Sequence, residues 1–148
     1  RLFLGNFTHT IDSKGRLSVP VKFRDTIVLD SRGIVYITTD LDPCLIAYTL
    51  TEWDRLLEKI KSLPIMNQGV KDYRRLLYSR ATECSLDKQG RILIPQKLRE
   101  YAGLDGDTYL IGNDNKIEIW HPEKWDKAEA RALESAESIQ IELAKLGL

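Results

Sequence analysis

Arg16 and Arg91 each stand one residue after the glycine of an Asp-x-x-Gly turn, in Asp12-Ser13-Lys14-Gly15-Arg16 and Asp87-Lys88-Gln89-Gly90-Arg91. Gly15 and Gly90 supply positive φ, and Asp12 and Asp87 can accept hydrogen bonds from their own turn amides, so each stretch reads as a tight turn between strands. An arginine just after such a turn projects from a rigid loop. Its planar fork suits phosphate or the O6/N7 edge of guanine. The alternative is a solvated or aspartate-paired arginine. Repetition favours the first reading, because Lys14 and Lys88 sit in the turns and Arg24 and Arg99 follow downstream of each. Two basic loops related by a two-fold suit the two-fold backbone of DNA.

Other chemistry is unsupported. Catalysis needs a nucleophile beside a base, a paired acid and base, or a metal cluster. The two histidines, His9 and His121, lack such company: one lies in an extended run and the other precedes Pro122 at a helix start. Both are expected to be structural. No GxxxxGK[ST] and no strand-linked GxGxxG occurs, so no phosphate cradle is expected. Cys44 and Cys84 are far apart with no CxxC. No catalytic residue, metal site, cofactor or small-molecule substrate is therefore expected, and two unpaired thiols suggest a reducing cytoplasm. The uncharged runs fall far short of the ~20 apolar residues of a membrane span, and the start of the chain turns polar too soon for a signal peptide.

The elements that must hold these arginines form an internal repeat. Residues 12–25 (DSKGRLSVPVKFRD) and 87–100 (DKQGRILIPQKLRE) align at an offset of 75 (87 − 12), with Asp, Gly, Arg, Pro, Lys and Arg identical. Each copy reads as extended run, turn, short aliphatic strand, helix and two further strands. Pro20 and Pro95 suit the first helical position, and Gly103 is a good stop for the second helix, over about Pro95–Tyr101. Further strands are predicted over Val35–Thr39, Leu45–Thr49, Thr108–Ile111 and Lys116–Trp120. Thr51 with Asp54 reads as a capping box for a helix carrying Trp53, Leu56, Leu57 and Ile60. A second helix is predicted over Gln68–Ser79, and one long amphipathic helix from Pro122, with Trp125, Ala128, Ala132, Ala136, Ile139, Leu143 and Leu146 on its stripe. One copy is too small to close a core alone. The expected fold is α+β and mainly β: two repeats around a pseudo-two-fold axis share one small barrel, flanked by helices. The predicted divisions are 5–53, 54–80, 81–125 and 126–148.

The charge balance agrees with a local interface. The chain of 148 residues has 22 Lys plus Arg against 22 Asp plus Glu, and a pI near 6.9, which excludes a globally basic coat protein. Yet 12–25 and 87–100 are each net +2 and 71–80 is net +3, while 123–148 is net −2. A binding footprint is local.

The two Asp-x-x-x-Arg signatures, each followed by aliphatics, a proline and a basic helix, resemble those of the MraZ family. That resemblance covers nearly the whole chain, including Asp42-Pro43-Cys44-Leu45, Trp53 and Ala81-Thr82-Glu83-Cys84. The second copy has Leu93-Ile94 where the first has Ser18-Val19, which leaves the signature intact. The resemblance implies two AbrB-like swapped-hairpin modules, in a nucleoid-associated regulator of the bacterial division and cell-wall gene cluster. It implies binding to promoter repeats in double-stranded DNA as a ring-shaped homo-oligomer. It also points to Arg16, Arg91, Arg24 and Arg99 as DNA contacts, to which the turn lysines Lys14 and Lys88 are added. The competing reading is an antitoxin-type module whose C-terminal helix docks a protein partner.

Overall fold

The computed structural model describes residues 2–148. Along the chain run β1 (Phe3–Thr10), β2 (Arg16–Ser18), α1 (Val21–Ser31), β3 (Ile34–Thr39), β4 (Leu45–Thr49), α2 (Leu50–Lys61) and α3 (Gln68–Arg80). The second half runs β5 (Thr82–Ser85), β6 (Arg91–Leu93), α4 (Gln96–Ala102), β7 (Asp107–Asp114), β8 (Lys116–Trp120), α5 (Pro122–Glu134) and α6 (Ala136–Lys145). The class is α+β, as expected.

Local signals explain most boundaries. Pro20 and Pro95 each serve as the N-cap, one residue earlier than expected, and their carbonyls accept from the amides three and four residues on. Gly103 ends α4 in the left-handed region, at φ 72°. α1 runs further and ends on Arg32 (φ 53°) before Gly33. The expected cap at Thr51 is displaced to Thr49, whose Oγ1 accepts from Glu52 N. Thr49 closes β4 in extended backbone, so the helix begins as soon as the strand stops, and Thr51 already lies inside it. The tail is two helices in succession, broken at Ser135, and neither buries a residue.

The six-stranded sheet has the order β1-β7-β8-β4-β3-β5, all neighbours antiparallel. That order is symmetric about the β8/β4 seam. Each copy contributes one hairpin (β3-β4 or β7-β8), and each first strand crosses to the hairpin of the other copy. The ladder runs from β1 to β5 without closing on itself among the described residues. β2 and β6 instead form a separate antiparallel ribbon, with Arg16 opposite Leu93, Leu17 opposite Ile92 and Ser18 opposite Arg91. A single bridge, Ile11 to Leu17, ties the ribbon to the end of β1. The turn after β1 is thus not a simple hairpin; its outgoing strand pairs with the other copy.

Both faces of the sheet are covered, which is why all of β4, Leu-Ile-Ala-Tyr-Thr, is buried. Leu45 and Ala47 join one core with Leu17, Phe23, Ile92 and Leu98, so ribbon, α1 and α4 cover that side. Ile46 and Tyr48 face a second core with Trp53, Ile60, Leu77 and Trp120, under α2 and α3. Phe3 and Phe7 pack in T-shaped pairs with Phe23, ring centroids 5.3 and 5.1 Å apart, clamping β1 onto α1. Burying side chains of this size contributes roughly 1.5–3 kcal/mol each, so the shared core holds the two turns at fixed relative positions.

Candidate nucleic-acid interface

The aspartate-centred hydrogen bonds of the two turns are copies of one another. In the first, Asp12 Oδ1 accepts from Lys14 N at 3.0 Å and Arg16 N at 2.9 Å, and Oδ2 accepts from Arg16 Nε at 2.6 Å. In the second, Asp87 Oδ1 accepts from Gln89 N and Arg91 N, both at 2.9 Å, and Oδ2 accepts from Arg91 Nε at 2.9 Å. The backbone closes each turn as well: Gly15 N donates to Asp12 O and Gly90 N to Asp87 O, both at 3.0 Å. These donors, the Arg16 and Arg91 amides foremost, hold both carboxyls below the usual 3.8. Gly15 and Gly90 adopt φ 90° and 75° within these turns.

The arginines do not extend freely from the loops. Arg16 and Arg91 fold back on their aspartates through Nε and are about a third exposed, at 35% and 28%. The aspartate-paired alternative is therefore realised; it leaves the terminal nitrogens of Arg16 outside the pair, while Arg91 Nη2 also donates to Gln89 Oε1 at 3.4 Å. Strand alternation then sets direction. Leu17 and Ile92 point into the core, at 0% and 3% exposure, so Arg16, Ser18, Arg91 and Leu93 share the outer face of the ribbon. By the register, Arg16 and Arg91 are diagonal neighbours there, a separation of about 7–8 Å in antiparallel pairs.

Arg24 and Arg99 are brought to the turns, but each to the turn of the other copy. A Cβ placed on Gly15 would lie 2.7 Å from Arg99 Nε, and one on Gly90 would meet the Arg24 side chain. Both glycines are buried. The same crossing is made by backbone: Ile94 N donates to Gly15 O at 2.8 Å and Val19 N to Gly90 O at 3.0 Å. Arg99 Nε donates to Ile94 O at 2.9 Å. Arg24 Nε is buried and has no hydrogen-bond partner among the described residues. The two arginines thus lie beneath the turns.

Lys14 and Lys88 are exposed at the turn tips, and so are Lys22 and Lys97 on the first turns of α1 and α4. Among the described residues none of these four ammonium groups is in an ion pair. Lys22 and Lys97 were counted in the charge of the repeat but not as site residues; their place at helix starts was the available signal. His9 lies on β1, its pKa held below 6.5 by burial and then by the Arg24 charge. His121 is the N-cap of α5, with Nδ1 accepting from Glu123 N at 3.1 Å. Cys44 and Cys84 are buried free thiols. Burial, then the Glu83 charge, raises Cys84 to about 11, and burial drives Cys44 upward too.

A family model described as "MraZ protein, putative antitoxin-like" matches residues 2–75 and 77–145. This chain belongs to the MraZ family. A relative from Acetivibrio thermocellus is 44% identical over 148 residues, covering 99% of this chain and 100% of its own. One from Desulforamulus reducens is 46% identical over 145 residues, covering 98% and 99%. Another, from Natranaerobius thermophilus, is 43% identical over 143 residues, with 96% of each chain covered. All three bear the name "Transcriptional regulator MraZ". The boundary between the two matched blocks of the MraZ family falls inside α3, the helix that links the copies.

Proposed function

We propose that the chain is a transcriptional regulator that binds double-stranded DNA in a sequence-specific manner, and not an enzyme. The observation that carries this reading is the β2/β6 ribbon, whose outer face presents Arg16 and Arg91 as diagonal neighbours between two similar turns. The major groove is about 12 Å wide and admits a two-stranded ribbon. Arg16 and Arg91 read bases through their terminal nitrogens, Lys14 and Lys88 neutralise phosphates, and Arg24 and Arg99 brace the turns from below while adding charge. The relatives' name supports the same reading. The finer expectations belong to it too: a swapped-hairpin barrel, for which the Ile11–Leu17 bridge is the local support; control of a division and cell-wall gene cluster from the nucleoid; and a ring-like homo-oligomer on promoter repeats.

The assembly has a physical motive. Ile139, Leu143 and Leu146 of the tail stripe are 36–80% exposed, and exposed apolar surface of this kind marks an interaction surface. The same surface favours the second reading, an antitoxin-like partner-docking module, which the family description shares. Titrating the chain with duplex DNA at rising salt separates them. Steep loss of affinity with salt fits phosphate neutralisation; no binding at low salt removes the DNA reading and leaves the docking one.

A further inference from the structure

The pseudo-two-fold of the ribbon is broken at one place on its outer face. Exchange of the copies swaps Arg16 with Arg91, Leu17 with Ile92 and Ser18 with Leu93. The first two exchanges preserve chemistry: arginine for arginine outside, aliphatic for aliphatic inside. The third sets a hydroxyl against an isobutyl group. Leu93 is 59% exposed, stands directly opposite Arg16 and is the diagonal neighbour of Ser18. A scattered surface leucine needs no explanation. This one flanks the diagonal of the two turn arginines, where its counterpart is polar, and the core beneath is already filled by Leu17 and Ile92 at 0% and 3% exposure.

We propose that Leu93 is a specificity-determining residue that packs on the C5-methyl of a thymine in the major groove, beside the base read by Arg16. The inference rests on the DNA reading above and names what that face recognises beyond hydrogen-bond edges. The thymine methyl is the apolar feature of the major groove, and apolar side chains contact it. Arg16 and Leu93 have Cβ atoms about 4.5–5.5 Å apart as a directly opposed pair, so they face neighbouring base pairs. Ser18, beside Arg91, offers no such contact. One half of the face therefore discriminates thymine and the other is tolerant, so the site read by one chain is asymmetric although its arginines are symmetric.

The test uses a duplex selected from a random-sequence library by the full-length chain, with each thymine replaced in turn by deoxyuridine, which removes the methyl and keeps the pairing. For the native chain, one thymine per bound chain should lose about fourfold in affinity on methyl removal, the factor that burial of one methyl-sized group supplies. Leu93→Ser, which copies the Ser18 half, should bind the thymine and deoxyuridine duplexes equally, while Leu93→Met should keep the preference. Native binding indifferent to every methyl, or a Leu93→Ser variant still sensitive at the same position, overturns the proposal. So does a Leu93→Ser variant with unchanged DNA affinities and an altered mass in light scattering, which would place Leu93 in a protein contact. Failure of the selection to enrich any duplex overturns the DNA reading itself, a distinct result.

Discussion

The first turn, at 12–16, and the second, at 87–91, share their aspartate-centred bonds and have different supports. Beneath the first, Arg99 is locked: its Nε donates to Ile94 O, and that carbonyl also lies 2.9 Å from where a Cβ on Gly15 would stand. Beneath the second, the atoms nearest to where a Cβ on Gly90 would stand all belong to the Arg24 side chain, and its Nε has no partner among the described residues. A buried donor left unmade costs about 1–3 kcal/mol, so the second turn is the less well supported. Local bonds within five residues repeat faithfully because they need only the five residues. Support from the other copy depends on how two non-identical halves pack, and there the copies diverge.

The largest test of that difference is at the glycines. Gly15→Ala and Gly90→Ala both place a Cβ at positive φ, 90° and 75°, which costs roughly 1–2 kcal/mol. Gly15→Ala should cost clearly more in urea unfolding, because it meets fixed backbone at Ile94 O where Gly90→Ala meets a side chain that can move. Equal losses would mean that Arg99 and its carbonyl yield as readily as Arg24.

Truncating the braces comes next. Arg99→Ala breaks a bond from a charged donor, worth about 1.5–3 kcal/mol at most, whereas Arg24→Ala removes a donor that was already unpaired and should cost less than half as much. The same melts decide it, and an Arg24→Ala loss matching that of Arg99→Ala would erase the asymmetry.

The turns themselves should respond alike. In Asp12→Asn and Asp87→Asn the remaining Oδ1 still accepts the two amides, but the arginine loses its Oδ2 partner. Each should lose a little stability near neutral pH, the share that the carboxylate's bond to the arginine contributes. Both carboxyls have folded values below 3.8. Their contribution is therefore complete above 3.8 and lost as pH falls through the lowered values. Between pH 5 and pH 2 (roughly the span over which such groups protonate) the double Asn variant should lose less stability than the native chain. Different acid profiles for the two single variants would show that the turns are not equivalent.

The smallest effect sharpens the comparison from one side only. His9 has Cys84 as its counterpart at the offset of 75 (84 − 9), so a histidine beside the brace arginine exists in one copy alone. Its pKa is lowered, so the stability it contributes is complete above 6.5 and declines as pH falls from 6.5 toward the depressed value. Melting temperatures from pH 7 to pH 5 should fall slightly more for the native chain than for His9→Gln. Parallel profiles would detach His9 from the second turn.

What the sequence by itself determined is whatever closes within a few residues. The Asp-x-x-Gly-Arg turns, the α4 stop at Gly103, the α3 helix and the inward aliphatics of the ribbon are all legible, because their causes are local bonds and a side-chain period of two. The Thr49 cap was misplaced by two residues for the same reason: where a strand runs straight into a helix, the cap belongs to whichever residue the sheet releases first. The tertiary structure alone decided that β2 pairs with β6 rather than with β1, that Arg24 and Arg99 reach the opposite turns, and that Leu93 shares a face with both turn arginines. Those outcomes depend on register between segments 75 residues apart. Nothing in either segment encodes that register singly; it is set when both copies bury their aliphatics in one core, since a slip of one residue would turn Leu17 and Ile92 outward and the arginines in.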